Sequence, residues 1–288
     1  MSPEPAPLPD LADAAAVDAL IEDVLAAALL SYADMPGATH RQDADLLWIR
    51  SGQPYGSMNH VLRLRMRRSV GSFADRATEL ISTFAPDAFP MTWWVGPTSE
   101  PADVRDRLRA LGMREEEVEF GMVLDLAAPL PEAEPAPGAT LETVDGALAL
   151  DAWQDVMAAA YDWPADGGKR RLYRSLFGGD LTGPGGATRR HFLVRDGGRP
   201  AAGSSLYLVG GHAFVTNIGT APWARGRGLG TMATVATLQH ARRRGFHAAV
   251  LTASVDGRGL YLRLGFREYG LLERFTADAT ILAALRGR

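Results

Sequence analysis

The residues that carry the most chemical information form one stretch: Asn217-Ile218-Gly219-Thr220-Ala221-Pro222-Trp223-Ala224-Arg225-Gly226-Arg227-Gly228-Leu229-Gly230-Thr231. Glycine at 226, 228 and 230 leaves main-chain N–H groups uncovered where an apolar-periodic segment begins. Those donors, with the positive end of a helix dipole, suit a cluster of anionic oxygens such as a pyrophosphate. Arg225 and Arg227 add positive charge. Three readings compete. A dinucleotide fingerprint would need glycine at 231, where the chain has Thr. A Walker loop would need Gly-Lys-Ser/Thr, and no lysine lies here. The third is the Arg/Gln-x-x-Gly-x-Gly/Ala turn that binds the pyrophosphate of coenzyme A, matched by Arg225, Gly228 and Gly230. A glycine-rich connection serving only tight packing is the plain structural reading.

A second motif follows the next strand: Ser254-Val255-Asp256-Gly257-Arg258-Gly259-Leu260-Tyr261-Leu262-Arg263-Leu264-Gly265-Phe266. Tyr-x-x-x-Gly-Phe after a buried strand, downstream of Arg-x-x-Gly-x-Gly, resembles the GNAT superfamily of acyl-CoA-dependent N-acetyltransferases over about 140–276. The resemblance implies that Arg225, Gly226, Arg227, Gly228, Gly230 and Thr231 hold the pyrophosphate of acetyl-CoA, the acyl-donor cosubstrate, chiefly through main-chain N–H groups. Ile218 and Thr220 lie on the preceding strand, where the family pairs main chain with pantetheine; an N–H there would polarise the thioester carbonyl. Tyr261 would protonate the leaving thiolate; its structural role would be a core aromatic. The family usually has Asn where this chain has Ser254, whose single hydroxyl can still meet the cofactor, and often Ala where it has Gly257. Asn217, His212, Glu268 and Asp162 are open alternatives for a general base, though Asn cannot act as one directly.

The elements that position these residues follow from apolar spacing. A helix is expected over about 11–30, capped by Asp10 or Asp13. Strands are expected at 46–49 and 61–66, then a helix with Ser72 as N-cap and Phe73, Ala77, Leu80, Ile81 and Phe84 inward. Met91–Val95 reads as a strand, the segment from Pro101 as a helix stopped by Gly112, and 118–126 as a strand. Ala127–Ala139, with four prolines and a glycine, reads as an extended linker. Beyond it come a strand at 140–144, a helix bearing Trp153 and Met157, an irregular segment over 161–190, strands at 191–195 and 204–209, and a Gly210-Gly211 hairpin turn. Strand 212–220, helix 228–244 and strand 247–253 make one crossover unit. A short helix over about 256–264 precedes the final strands.

The first half ends like the second. Trp93-Trp94-Val95, a helix and Leu111-Gly112-Met113 parallel Val250-Leu251-Thr252, a helix and Leu264-Gly265-Phe266. Aligning the two glycines sets Leu108 against Tyr261, and the stretch matching the phosphate turn reads Arg67–Ser72. The expected fold class is therefore α/β: two GNAT-like domains, each a mixed, mostly antiparallel sheet flanked by helices. Residues 1–126 would be a degenerate copy with a disordered lead at 1–9, and 140–288 the acyl-CoA-binding copy.

Composition bounds the rest. Of 288 residues, 47% are hydrophobic and 22% charged, as in globular proteins, and cysteine is absent, which removes disulfides, cysteine-ligated metals and a thiol nucleophile. The net charge of −4 argues against a nucleic-acid partner. The six histidines form no metal-binding pair. No apolar run is long enough to span a bilayer, and Glu4 stands where a signal peptide carries a base; a cytoplasmic protein is expected. The acceptor would be a primary amine on a small molecule or peptide; a homodimer is one assembly the sequence allows. The competing class is a non-catalytic acyl-CoA-binding or regulatory module. The aromatic segment Tyr161–Arg174 falls where the family forms its acceptor-site wall.

Overall fold

The computed structural model describes residues 4–66, 73–84, 89–131, 136–163, 167–178 and 188–286. The first half contains α1 (Ala14–Leu29), β1 (Thr39–Gln42), β2 (Leu47–Arg50), β3 (His60–Leu62), α2 (Phe73–Phe84), β4 (Met91–Val95), α3 (Val104–Ala110) and β5 (Arg114–Asp125). Asp13 caps α1, its carboxylate accepting the Ala16 N–H. The proposed cap Ser72 and the stretch Arg67–Ser72 lie outside the described residues. β1 was not expected: its four residues are all exposed, so it carries no apolar alternation. It pairs antiparallel with β2, and β2 with β3. β3 and β4 then run parallel, as a crossover through α2 requires. The α2 stripe Phe73, Ala77, Leu80, Ile81 and Phe84 packs into one core with Trp93, Val104 and Leu108.

The second half contains β6 (Ala139–Thr143), α4 (Ala147–Ala160), α5 (Gly168–Gly178), β7 (Arg189–Asp196), β8 (Arg199–Val209), β9 (His212–Thr220), α6 (Leu229–Arg243), β10 (Ala248–Ala253) and α7 (Val255–Arg263). Its strands are ordered β10-β9-β8-β7-β6, with β9 and β10 parallel and the others antiparallel. The crossover β9–α6–β10 is as expected. Two readings need correction. The segment read as irregular contains α5, which is strongly basic in its first half and so lacks a recognisable N-terminal signal. β8 begins at Arg199, five residues before its expected start.

The last elements are β11 (Arg267–Ala277) and α8 (Ala279–Arg286). They alter the expected division of the chain. β11 pairs antiparallel with β4, Phe275 opposite Trp93 and Ala277 opposite Met91. Phe275, Ala277 and Leu282 enter the core built by α2, α3 and β4. One compact unit accordingly comprises Pro9–Met122 with Thr252–Arg258 and Glu268–Arg288. The other comprises Val123–Leu251 with Gly259–Arg267 and the residues before Pro9. The continuous span 140–288 is thus not one compact body. The lead expected to be disordered is docked in part: the Ala6 N–H donates to the Gly211 carbonyl at 2.9 Å. The linker is pinned as well. Arg242, near the end of α6, donates to the carbonyls of Leu126, at 2.6 Å, and Ala128.

The internal likeness of the two halves is geometric. Gly112 ends the α3 segment at φ +85° and Gly265 ends α7 at φ +94°. The Met113 N–H closes onto Leu108 O at 3.1 Å, and the Phe266 N–H onto Tyr261 O at 3.0 Å. Leu108 and Tyr261 therefore occupy equivalent positions in equivalent turns.

Candidate functional site

The site is built on β9. Its register against β8 slips between Gly203 and Ser205, leaving an extra residue on β9, and Asn217 there has φ +48°. Asn is among the few residues that tolerate this conformation. Parallel pairing with β10 is registered at Ala213–Ala249 and Phe214–Val250, near the start of β9 and ahead of the bulge. Beyond that point lie Ile218 and Thr220.

Two glycines let α4 approach this strand pair. A Cβ at Gly203 would lie 2.9 Å from Trp153 Cδ1, and one at Gly219 would lie 2.9 Å from Ala160 Cβ. The helix ends at Tyr161, whose hydroxyl donates to the Ile218 carbonyl at 3.0 Å. One main-chain acceptor of the expected pantetheine strand is therefore already engaged. Nothing in the sequence spacing signals that bond across 57 residues.

The glycine-rich turn leads from β9 into α6. Gly226 has φ +76° and Gly228 φ +75°, and a Cβ at either would meet nothing within 4 Å. These glycines answer a backbone requirement, and the space beside them is open. Gly228 is the N-cap and supplies no side-chain acceptor. The first bond of the helix runs from the Met232 N–H to Gly228 O. The N–H groups of Leu229, Gly230 and Thr231 thus have no partner among the described residues, as at any uncapped helix start. Gly230 is needed for space, since a Cβ would lie 2.7 Å from Thr220 Oγ1. This arrangement fits an anionic oxygen cluster. Arg225 is exposed and donates to Thr220 O at 3.4 Å. Arg227 is paired bidentately with Asp196, one contact at 3.0 Å.

Tyr261, on α7, is 7% exposed and meets Phe266 edge-on, ring centroids 5.9 Å apart. Ser254 caps the same helix: its hydroxyl accepts the Gly257 N–H at 3.2 Å.

Sequence reasoning missed a buried polar chain beneath the bulge. Asn217 Nδ2 donates to Ser205 Oγ at 3.2 Å, and Ser205 Oγ lies 2.7 Å from His191 Nδ1. His191 packs on Trp153 with centroids 4.6 Å apart, and burial lowers its pKa to about 3. It is neutral at physiological pH. β7 and β8 are buried along continuous runs, so no alternation singles out either residue, and their pairing, His191 opposite Ser205, needs the register. Among the base candidates, His212 stands at the other end of β9 with Nδ1 buried and without a hydrogen-bond partner among the described residues, and burial lowers its pKa. Glu268 pairs with Arg258. Asp162 follows α4 at φ +48°.

The 161–174 segment includes a stacked Trp163–Tyr173 pair, centroids 4.7 Å apart. A cavity of about 340 Å³ between α4 and α5 is lined by Asp151, Gln154, Gly167, Arg170, Arg171 and Arg174. Among the described residues no group of three His, Asp or Glu could hold a metal ion, and no helix is long and apolar enough to cross a membrane.

Residues 152–266 match the Acetyltransferase (GNAT) family, and the chain carries a GNAT acetyltransferase domain there. A GCN5-related N-acetyltransferase from Kribbella flavida is similar in structure, with a TM-score of 0.66 and 18% identity over 90% of this chain and 95% of that one. One from Sphaerobacter thermophilus has a TM-score of 0.59 and 16% identity, covering 96% and 95%. A tandem GNAT protein from the clavulanic acid biosynthesis pathway has a TM-score of 0.58 and 17% identity, covering 93% and 96%. These likenesses span both halves, and the fold is that of two GNAT-like domains. No curated protein sequence matches the chain.

Proposed function

We propose that the chain is an acyl-CoA-dependent N-acetyltransferase of the cytoplasm, which moves an acetyl group from acetyl-CoA to a primary amine of a small molecule or peptide. The observation that carries this reading is the turn before α6, where three helix-start N–H groups without a partner among the described residues stand beside open space. In this reading Gly226, Arg227, Gly228, Gly230 and Thr231 hold the pyrophosphate, with Arg225 adding charge. Ile218 and Thr220 line the pantetheine path, and Ser254 meets the cofactor while capping α7. Acetyl-CoA supplies an activated thioester. The neutral amine attacks its carbonyl carbon within the ternary complex; the C–N bond forms, the C–S bond breaks and the amine proton passes to water. Tyr261 gives its hydroxyl proton to the departing sulfur and regains one from solvent, which balances the proton that the amine released. No acyl-enzyme on a thiol can form, because the chain has no cysteine.

The first half is a copy emptied of this chemistry. Leu108, fully buried in the core, takes the position that Tyr261 holds in the second half.

A second reading, a non-catalytic acyl-CoA-binding module, is favoured by the state of the base candidates: Glu268 is paired with Arg258, and His212 stands at the far end of β9 from Ile218 and Thr220. Calorimetric titration of acetyl-CoA into the full chain, with Gly228→Glu as control, tests both readings. Binding that the substitution abolishes supports the cofactor site, and thiol release on adding amines then separates enzyme from module. A folded wild type that binds nothing would overturn both.

A further inference from the structure

Beside the phosphate turn, the β7–β8 hairpin presents an arginine that no carboxylate among the described residues neutralises. Its two-residue turn is Gly197-Gly198, with φ of +56° and +83°. Asp196 and Arg199 face each other across it. Asp196 reaches out to Arg227, which lies between Gly226 and Gly228. Arg199 sits over the ring of Trp223, its guanidinium carbon 4.1 Å from the centroid. Trp223 in turn lies three residues before Gly226 and is 39% exposed. Two separate contacts therefore lock this hairpin to the phosphate turn.

Arg199 differs from its neighbours in charge balance. Arg190 pairs with Asp145, Arg195 with Glu142 and Arg227 with Asp196. Arg199 has no ion pair among the described residues and is exposed. Contact with a ring face restrains a guanidinium without using its N–H groups, which are the donors that grip a phosphate bidentately. The turn itself is held in place, since the Gly197 N–H donates to Gly138 O at 3.1 Å and Arg195 Nη1 to Gly198 O at 3.3 Å. Holding a charged donor in position before binding lowers the cost of ordering it on binding.

We infer that the Trp223-supported Arg199 is a subsite for a phosphate monoester, the ribose 3′-phosphate of coenzyme A, contributed by the β7–β8 hairpin. The inference rests on the proposed function. The next anionic group of that molecule beyond its pyrophosphate is this monoester, which carries close to two negative charges at neutral pH. Asp196 serves a different purpose. By holding Arg227 it fixes the phosphate turn to the hairpin, so it is a positioning residue.

Titrations of coenzyme A and 3′-dephospho-coenzyme A into the full-length wild type, Arg199→Ala and Trp223→Ala test this. The wild type is expected to favour coenzyme A by about tenfold, the scale of one charge-assisted contact. Arg199→Ala should erase that preference and leave dephospho-coenzyme A affinity unchanged, which a merely structural role would not do. Trp223→Ala should reduce the preference, because the charge stays but its support is lost. Equal weakening of both ligands by Arg199→Ala, or an unchanged preference, would overturn the subsite while the proposed function stands. A wild type that binds neither ligand would overturn both.

Discussion

Gly230 and Thr220 are matched: any side chain at 230 would set its Cβ 2.7 Å from Thr220 Oγ1. The first turn of α6 is thereby allowed to lie against the end of β9, which brings the helix-start N–H groups beside that strand. Gly230→Ala should destabilise the chain by roughly 1–3 kcal/mol, the usual cost of overpacking. Thr220→Ala removes the opposing atom, so the double variant should recover most of the loss. Urea midpoints for the two single variants and the double variant measure this coupling; strict additivity would mean the contact is relieved some other way.

Tyr261→Phe keeps the ring that packs on Phe266 and removes only the hydroxyl. Turnover should fall by about 100-fold, at the lower end of what a positioned acid contributes, while acetyl-CoA affinity stays within about twofold. Equal loss in both quantities would assign Tyr261 to packing.

Tyr161→Phe frees the Ile218 carbonyl. If pantetheine needs that acceptor, acetyl-CoA should bind the variant more tightly by about threefold, below the tenfold worth of a full net hydrogen bond. Weaker binding would show instead that the Tyr161 bond preorganises the strand.

Acid should destabilise the protein through two buried histidines. Burial lowers the pKa of His60 and of His191 to about 3, from 6.5 when unfolded. Between those values the unfolded chain binds more protons, so stability is full above pH 6.5 and is lost as pH falls toward 3. Each histidine contributes a slope of at most about 1.4 kcal/mol per pH unit. Denaturation midpoints from pH 7.5 down to 4.5 should fall steadily, and less steeply in His191→Gln. A flat profile between pH 5 and 6.5 would refute the assignment.

Local features were legible where a residue type answers a local demand. Gly226 and Gly228 take left-handed backbone angles, and Gly112 and Gly265 stop their helices, so the sequence could place both the glycine turn before α6 and the internal likeness of the halves. The crossover β9–α6–β10 followed from apolar runs. Contacts between residues distant in sequence were not legible. Tyr161 on Ile218, Ser205 between His191 and Asn217, and Arg199 over Trp223 all depend on register and on how strands stack side by side. β11 is the clearest case. Its composition reads as a strand, but nothing local says that its neighbour is β4, almost two hundred residues earlier.

That pairing bears on how the protein is made. The Pro9–Met122 unit takes Phe275, Ala277 and Leu282 into its core, so a ribosome must translate past position 282 before this unit can close. Until then β4 offers an open edge and an unfilled apolar face to the surrounding solution. Expression of the first half alone should yield an aggregation-prone fragment, and supplying Arg267–Arg286 as a separate peptide should rescue its solubility.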